Sequence, residues 1–250
     1  MAERVWDRFL TDEDRAHVAA RPKNPVGVGS RPALLLIDLY RGVFGDERLP
    51  LLEGTKLWPG YCGPQAWDAL PSIQELIATA RAAGVPVLHV TGLDDGAGMP
   101  GWNEAAHRST QRTPSEPAAR ERHSRRYDIV DEVAPIEGEV VLRKSSPSAF
   151  WGTPLVAQLQ FLGIDTIVVA GESTSGCVRA SVVEGCTYRF RMQVVEECTF
   201  DRHRAAHAIN LFDMDQKYAD VIPLAQATQY LRSQGAAPAA TPEPALAGAR

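Results

Sequence analysis

The order of apolar and amphipathic segments predicts a single α/β domain, doubly wound around a mostly parallel sheet of about six strands. Short, almost continuously apolar runs recur along the chain, and such runs are typical of parallel strands that are covered on both faces. Segments with helical periodicity separate these runs, and this alternation indicates βαβ units. The chain has 250 residues, of which 44% are hydrophobic, enough to form one sizeable core.

The first half of the chain predicts an N-terminal arm, three strands and one long helix. The arm covers residues 1–29; its charged beginning is amphipathic, with Thr11 as the N-cap of a helix. Strands are predicted at 32–40, 85–92 and 138–144. A helix is predicted at 65–84, with Gly84 as its C-terminal stop. The segment 93–127 shows little periodicity, and a loop of that length is typically functional or part of an interface.

The second half of the chain repeats the alternation up to a C-terminal tail. Strands are predicted at 165–171, 192–199 and 219–222. Helices are predicted at 153–163, from Cys177 onward, at 202–218 and at 224–233. Residues 234–250 are rich in Ala and Pro and are predicted to be a disordered tail. The predicted domain therefore spans residues 30–233.

Charge and cysteine content argue against several functional classes. The net charge of −5 gives no support for nucleic-acid binding, and no apolar run reaches the roughly 18 residues that cross a bilayer. The N-terminus lacks the apolar core of a signal peptide. The four cysteines show neither a CxxC pair nor zinc-finger spacing. We therefore expect a cytoplasmic protein that binds neither nucleic acid nor membrane.

Three polar residues stand at the carboxyl ends of predicted strands, where open α/β sheets bind their ligands. They are Asp38, Lys144 and Cys177. Alone, such a Cys is more often packing, such an Asp a cap and such a Lys a solvated side chain. A thiol nucleophile needs a base and a cation beside it, which Asp38 and Lys144 can supply. The conjunction predicts nucleophilic catalysis by Cys177, with a lowered thiol pKa.

Three motifs resemble those of the isochorismatase-like cysteine hydrolases and occur in the order of that family. They are "LLLIDLYRGVF" around Asp38, "LRKSSPSAFWGTPL" around Lys144 and "VVAGESTSGCV" before and around Cys177. The resemblance spans roughly residues 30 to 225. The N-terminal helix and the segment 196–221 resemble the branch of N-carbamoylsarcosine amidase and maleamate amidase.

The resemblance implies a cysteine-dependent amidohydrolase without a cofactor. Asp38 would take the proton of Cys177, and the thiolate, held by Lys144, would attack the carbonyl of a small amide or ureide. The backbone N–H groups of Ser173 and Cys177 would form the oxyanion hole. A cis peptide bond is implied at Glu172–Ser173. Ammonia would leave, and water would then hydrolyse the thioester.

The residues that bind substrate are indicated less specifically. Thr174 either bonds the substrate or supports the turn; Arg202 either holds a substrate carboxylate, as in the carbamoylsarcosine branch, or forms a surface salt bridge. Phe44 and Trp151 are candidate pocket walls, with core packing as the alternative. We expect N-carbamoylsarcosine-like substrates first and maleamate-like ones second, with other N-carbamoyl compounds such as biuret also open. The alternative to an enzyme is a binding protein that retains the fold.

No metal is expected at this site. Nicotinamidases of the superfamily carry an Asp and His metal site, whereas Asp94 and Asp95 occur here without a His pair. Isochorismatases proper lack the cysteine. The family forms dimers and tetramers, so the resemblance implies a homo-oligomer, with the N-terminal helix and 93–127 as interface elements.

Overall fold

The computed structural model describes residues 4–93 and 114–235, and a six-stranded sheet runs through its centre. The strands are β1 Pro32–Ile37, β2 Val87–Gly92, β3 Val140–Lys144, β4 Thr166–Gly171, β5 Arg191–Thr199 and β6 Asp220–Ile222. Their spatial order is β3-β2-β1-β4-β5-β6, and every neighbouring pair is parallel. The predicted α/β fold class is therefore confirmed.

Helices cover both faces of this sheet. They are α1 Asp12–Ala20, α2 Arg41–Phe44, α3 Leu51–Leu57, α4 Pro64–Ala82, α5 Pro117–Ser124, α6 Leu155–Phe161, α7 Arg179–Thr187, α8 Arg204–Lys217 and α9 Leu224–Gln234. Buried side chains of α4 and α9 belong to one hydrophobic cluster, and those of α6, α7 and α8 belong to the other. None of the helices described is long and apolar enough to span a membrane.

Strand β1 explains why the sequence shows an uninterrupted apolar run there. Successive side chains of a strand point to opposite faces, so Leu34 and Leu36 enter one cluster while Leu35 and Ile37 enter the other. All six residues of β1 are buried. A central parallel strand must therefore be apolar at every position, and this property made it recognisable from the sequence.

Three short helices were not predicted from the sequence. Helices α2 and α3 follow β1, and α5 lies within the segment predicted to be a loop. Helix α5 has no buried residue, so no apolar periodicity could indicate it. Its first turn is capped by the carboxylate of Glu116, which accepts from the N–H groups of Ala118 and Ala119. Residues 94–113, including Asp94 and Asp95, lie outside the described residues.

The N-terminal arm packs onto its own domain. Helix α1 begins after Thr11, whose hydroxyl accepts from the Asp14 N–H in a capping box, as the sequence predicted. Further along, the carboxylate of Asp220 accepts from the N–H groups of Val26 and Gly27. Trp6 of this arm is buried against the hydrophobic core of its own chain. The predicted domain boundary at residue 30 stays a prediction. Most of the predicted disordered tail, residues 236–250, lies outside the described residues.

The order of the strands places one crevice at the carboxyl edge of the sheet. From β1 the chain continues to β2 and β3 on one side, whereas β4, β5 and β6 extend the other side. Strands β1 and β4 are neighbours, with Ile37 beside Gly171 at their carboxyl ends. Ligands bind at such a switch point in open α/β sheets. The residues that directly follow β1 and β4 therefore face the same crevice.

Candidate active site

The structure brings Asp38, Lys144 and Cys177 together at this crevice. The Nζ atom of Lys144 lies 2.8 Å from Oδ2 of Asp38 and donates to Sγ of Cys177 at 3.3 Å. It also donates to the carbonyl of Ser146 at 3.1 Å. Asp38 is 0% and Lys144 7% exposed, so this ion pair acts where water screens it little. The ammonium links the carboxylate to the thiol.

The backbone at Asp38 sets the direction of its side chain. Asp38 directly follows β1, and its N–H donates to the carbonyl of Val90 on β2 at 2.9 Å. Its φ of 57° lies in the left-handed region, where Asp and Asn are enriched among residues other than glycine. The chain thus departs from the strand at the position where a carboxylate meets Lys144.

The turn after β4 also requires a close approach to β1. Gly171 has a φ of 122°, and a Cβ atom there would lie 2.0 Å from the carbonyl oxygen of Ile37, so no larger residue fits. The next N–H, that of Glu172, donates to the same carbonyl at 2.9 Å. The peptide bond Glu172–Ser173 is cis, as the resemblance implied. A π-helical turn over Thr174–Val178 then carries Cys177 into α7.

Backbone N–H groups line the turn that carries the thiol. The carbonyl of Ser173 accepts from the N–H groups of Gly176 and Val178 at 2.9 and 3.1 Å. The N–H of Ser173 itself donates to no acceptor among the described residues. This N–H and that of Cys177 are the donors that the resemblance assigns to the oxyanion hole, and the free N–H of Ser173 suits that role.

Thr174 supports the turn through its side chain. Its hydroxyl is 3.0 Å from the carbonyl of Phe200 and 2.8 Å from Nδ1 of His207 on α8. A hydroxyl has one proton, so its donation to the Phe200 carbonyl makes Nδ1 of His207 the donor to Thr174. Burial lowers the pKa of His207, which favours the neutral ring. Of the two roles considered for Thr174, this geometry favours the structural one.

Two further polar residues that the sequence did not single out hold the nucleophile turn. The carboxylate of Asp201 accepts from the Ser175 N–H at 2.8 Å. The hydroxyl of Ser181, one helical turn after the thiol, donates to the Cys177 carbonyl at 2.7 Å and accepts from the Ala149 N–H at 2.9 Å. Ser181 therefore connects the nucleophile helix to the loop that follows Lys144. Short polar side chains give no periodic signal, so only the structure identifies them.

The pKa of Cys177 differs from the sequence prediction. Burial and the neighbouring Asp38 carboxylate raise the pKa of the thiol well above its ordinary value, and attraction to the Lys144 ammonium only partly opposes them. The lowered pKa predicted from the sequence is therefore wrong, because that prediction weighed the cation and omitted burial. For Lys144 the balance is reversed: burial lowers its pKa, but Asp38 and Cys177 raise it above its ordinary value. At rest the site holds a thiol beside an ion pair.

Arg202 lies beside the site and is bound to backbone. Its Nε donates to the Tyr61 carbonyl at 3.1 Å, and one terminal nitrogen donates to the Gly60 carbonyl at 3.0 Å. Within residues 4–93 and 114–235 it forms no ion pair, so the surface salt bridge considered as the alternative is not observed there. The side chain fixes the segment before α4 against the end of β5.

The two aromatic candidates lie in different surroundings. Phe44 is 0% exposed, and its ring makes edge contacts with Trp67 and Phe200. The structure thus corrects its interpretation as a pocket wall in favour of core packing, the alternative considered. Trp151 is 59% exposed, and its carbonyl accepts from the Ser146 hydroxyl, which places it on the loop after Lys144.

The remaining cysteines are free thiols without a catalytic environment. Cys62 and Cys198 are fully buried, and burial raises the pKa of each. Cys186 lies on α7. In the described ranges, no group of three or more His, Cys, Asp or Glu side chains could hold a metal ion.

One buried carboxyl group at the site was not predicted. Glu172 directly follows β4 and is 8% exposed. Burial, and then repulsion from Asp38, raise its pKa to about 8. A glutamate in a turn normally indicates a solvated residue, so the sequence gave no signal for its burial.

A family model described as the isochorismatase domain matches residues 32–226. The chain belongs to the isochorismatase family. The resemblance inferred from three motifs is thereby confirmed, and the match covers all six strands.

Two relatives are similar over most of the chain. The maleamate amidohydrolase of Pseudomonas putida is 37% identical over 214 residues, covering 83% of this chain and 90% of that protein. The N-carbamoylsarcosine amidase of an Arthrobacter species is 31% identical over 209 residues, covering 84% of this chain and 74% of that protein. A solved cysteine hydrolase from Pseudomonas syringae aligns with a TM-score of 0.69 at 20% identity, covering 85% of this chain and 96% of that one, and supports the fold.

Proposed function

We propose that this protein is a cysteine-dependent amidohydrolase that releases ammonia from a small carboxylated amide or ureide. The observation that carries the proposal is the position of the Lys144 ammonium, 2.8 Å from the Asp38 carboxylate and 3.3 Å from the Cys177 thiol. Membership of the isochorismatase family and two relatives named as amide-hydrolysing enzymes support an amidohydrolase. A base, a cation and a thiol in contact are the groups that acyl transfer requires.

The first half of the reaction forms a thioester. As Sγ of Cys177 attacks the amide carbonyl, its proton passes to the Asp38 carboxylate, which fits a thiol whose pKa is raised at rest. The carbonyl oxygen becomes an oxyanion that accepts from the backbone N–H groups of Ser173 and Cys177. Protonated Asp38 then gives its proton to the amide nitrogen, the C–N bond breaks, and ammonia leaves.

The second half of the reaction uses the same groups. Asp38, again a carboxylate, accepts a proton from water as the water oxygen attacks the thioester carbonyl. When the C–S bond breaks, the sulfur leaves as a thiolate beside the Lys144 ammonium and takes the proton back from Asp38. The product, a carboxylic acid from an amide or a carbamic acid from a ureide, then dissociates. Lys144 keeps a positive charge beside the sulfur and the carboxylate throughout.

N-carbamoylsarcosine-like compounds are the first substrates to consider, and maleamate-like compounds are the second. The maleamate candidate is supported by 37% identity over 90% of the Pseudomonas putida enzyme. Both carry a carboxylate, for which Arg202 offers a planar guanidinium beside the site. Other small N-carbamoyl compounds, such as biuret, form a third class. Assembly into a homo-oligomer stays a prediction.

The test is an ammonia-release assay over maleamate, N-carbamoylsarcosine, other N-carbamoyl amino acids, biuret and nicotinamide. We expect turnover of at least one carboxylated compound by the wild-type enzyme, and loss of that turnover in Cys177→Ala. Cys186→Ala is the matched control, since Cys186 is a free thiol on α7, the helix that follows the nucleophile turn, and it should retain activity. Turnover by Cys177→Ala would overturn the mechanism. Absence of turnover across the whole panel would favour a binding protein.

A further inference from the structure

The side chain of Glu172 lies among the groups of the candidate active site and takes no part in the mechanism described above. Glu172 follows β4 where Asp38 follows β1, and the preceding residues Gly171 and Ile37 are register partners. Its backbone N–H donates to the Ile37 carbonyl at 2.9 Å. The side chain is nevertheless only 8% exposed, so the fold holds a carboxyl group beside the nucleophile.

This carboxyl has no partner among residues 4–93 and 114–235. Within residues 4–93 and 114–235 its oxygens accept no hydrogen bond and form no ion pair, although other buried carboxylates such as Asp220 and Glu139 have several partners. Burial of an unpaired polar group destabilises a fold. A buried carboxyl that the described residues leave without a partner, close to a nucleophile, is placed to meet a ligand.

Charged and titratable groups from several elements interact electrostatically with Glu172. Asp38 and Tyr40 follow β1, Lys144 ends β3, Cys177 is in the turn, Cys62 precedes α4, and Asp201 and Arg202 follow β5. Glu172 therefore interacts electrostatically both with the Asp38–Lys144 pair, where the amide would react, and with Arg202, where a substrate carboxylate would bind.

We propose that Glu172 is a specificity-determining residue whose protonated carboxyl donates a hydrogen bond to the substrate carboxylate and whose ionised form excludes anionic substrates. This proposal rests on the proposed function, in that the substrate is a small carboxylated amide or ureide. Arg202 supplies the positive charge on one side of the substrate carboxylate. Glu172 supplies a neutral donor, so that the catalytic end of the pocket gains no second negative charge beside Asp38.

The titration of these groups supports this role. The pKa of Glu172 is raised to about 8 by burial and by Asp38, so the acid form predominates at neutral pH. Burial raises the pKa values of Tyr40, Cys62 and Cys177 above their ordinary values, so these groups stay neutral when Glu172 ionises. Affinity for a carboxylate should accordingly fall as pH rises through about 8.

The first experiment measures KM for the carboxylated substrate found in the ammonia-release panel, between about pH 6.5 and 9.5. If only the acid form of Glu172 admits the anion, KM rises by about tenfold or more across this range. In Glu172→Gln, which keeps an N–H donor and cannot ionise, KM should change by less than about twofold. Glu184→Gln on α7 is the matched control and should behave as wild type. Glu172→Met serves as a second uncharged variant.

The second experiment does not require turnover. Calorimetry follows binding of the dicarboxylate maleate to Cys177→Ala, with and without Glu172→Gln, over the same pH range. We expect a rise in Kd of about tenfold or more in the single variant and a nearly flat profile in the double variant. No binding, or a pH profile that is unchanged by Glu172→Gln, overturns the assignment of Glu172. If maleate binds with the expected pH profiles but the wild-type enzyme turns over no compound of the panel, the proposed function is overturned and the role of Glu172 stays intact.

Discussion

Replacement of Lys144 by Met should destabilise the fold as well as abolish turnover. The side chain of Lys144 is buried with Asp38, and their charged atoms are 2.8 Å apart. Removal of one member of a buried ion pair leaves the other charge unpaired, which costs about 3–5 kcal/mol. For a chain of this size 1 kcal/mol corresponds to about 2–4 °C in Tm. The melting temperature of Lys144→Met should thus fall by roughly 6–20 °C.

A double-mutant cycle separates the ion pair from general loss of packing. Calorimetric melts of Lys144→Met, Asp38→Asn and the double variant give the three free energies of unfolding. Since the double variant leaves no unpaired charge, it should be more stable than Lys144→Met by about 1–3 kcal/mol. A decrease of less than about 1 kcal/mol in Lys144→Met, or simple additivity in the double variant, would refute the buried pair.

Three other perturbations probe the nucleophile turn. Thr174→Val removes the partner of His207 and should lower the free energy of unfolding, measured in urea, by about 1–3 kcal/mol. Because the pKa of Cys177 is raised, its alkylation by iodoacetamide should be slow at neutral pH and should still accelerate above pH ~9, as followed by mass spectrometry. The pKa of Glu172 lies above its unfolded value, so its acid form stabilises the fold below pH ~4.5, and this contribution is lost as pH rises through about 8. The free energy of unfolding of Glu172→Gln should therefore rise relative to that of wild type, by several kcal/mol, as pH rises between those limits.

Matched substitutions exist on helix α7 for each of these tests. Thr187→Val removes an exposed hydroxyl that bonds only the Val183 carbonyl and should change stability by less than about 0.5 kcal/mol. Cys186 provides the reference thiol for alkylation, and Glu184→Gln provides the reference for the pH dependence. The argument about Thr174 is contradicted if Thr174→Val is as stable as Thr187→Val. The argument about Cys177 is contradicted if its alkylation rate levels off below pH ~8. The argument about Glu172 is contradicted if the difference in stability between Glu172→Gln and wild type is independent of pH.

The elements predicted correctly are those whose burial leaves a pattern in the sequence. Strands β1 and β4 are buried at every position, and the long helix α4 buries one face, so apolar runs and periodicity reveal them. Helices α2 and α5 have too few residues or too few buried ones to do so. Their existence depends on contacts with distant segments, such as the Gly42 N–H bond to the Arg126 carbonyl.

Some residues of the candidate site could likewise be identified from the sequence, and others could not. Asp38, Lys144 and Cys177 could be identified because each ends or follows a recognisable strand, and the parallel topology brings strand ends together. His207 and Glu172 could not, because their environment arises only when several elements meet. The pKa of Cys177 was predicted in the wrong direction for the same reason, since burial by distant segments has no local signature.

The position of the site between β1 and β4 has a consequence for how the molecule acquires its reactivity. Asp38 and Lys144 precede β4 in the chain and Cys177 follows it, and β1 joins β4 through partners as distant as Pro32 and Thr166. Pairing of segments so far apart is among the slower events of folding. Before this pairing the thiol has neither its base nor its cation, so a growing or refolding chain carries an ordinary cysteine. Recovery of turnover during refolding should therefore follow the pairing of β1 with β4.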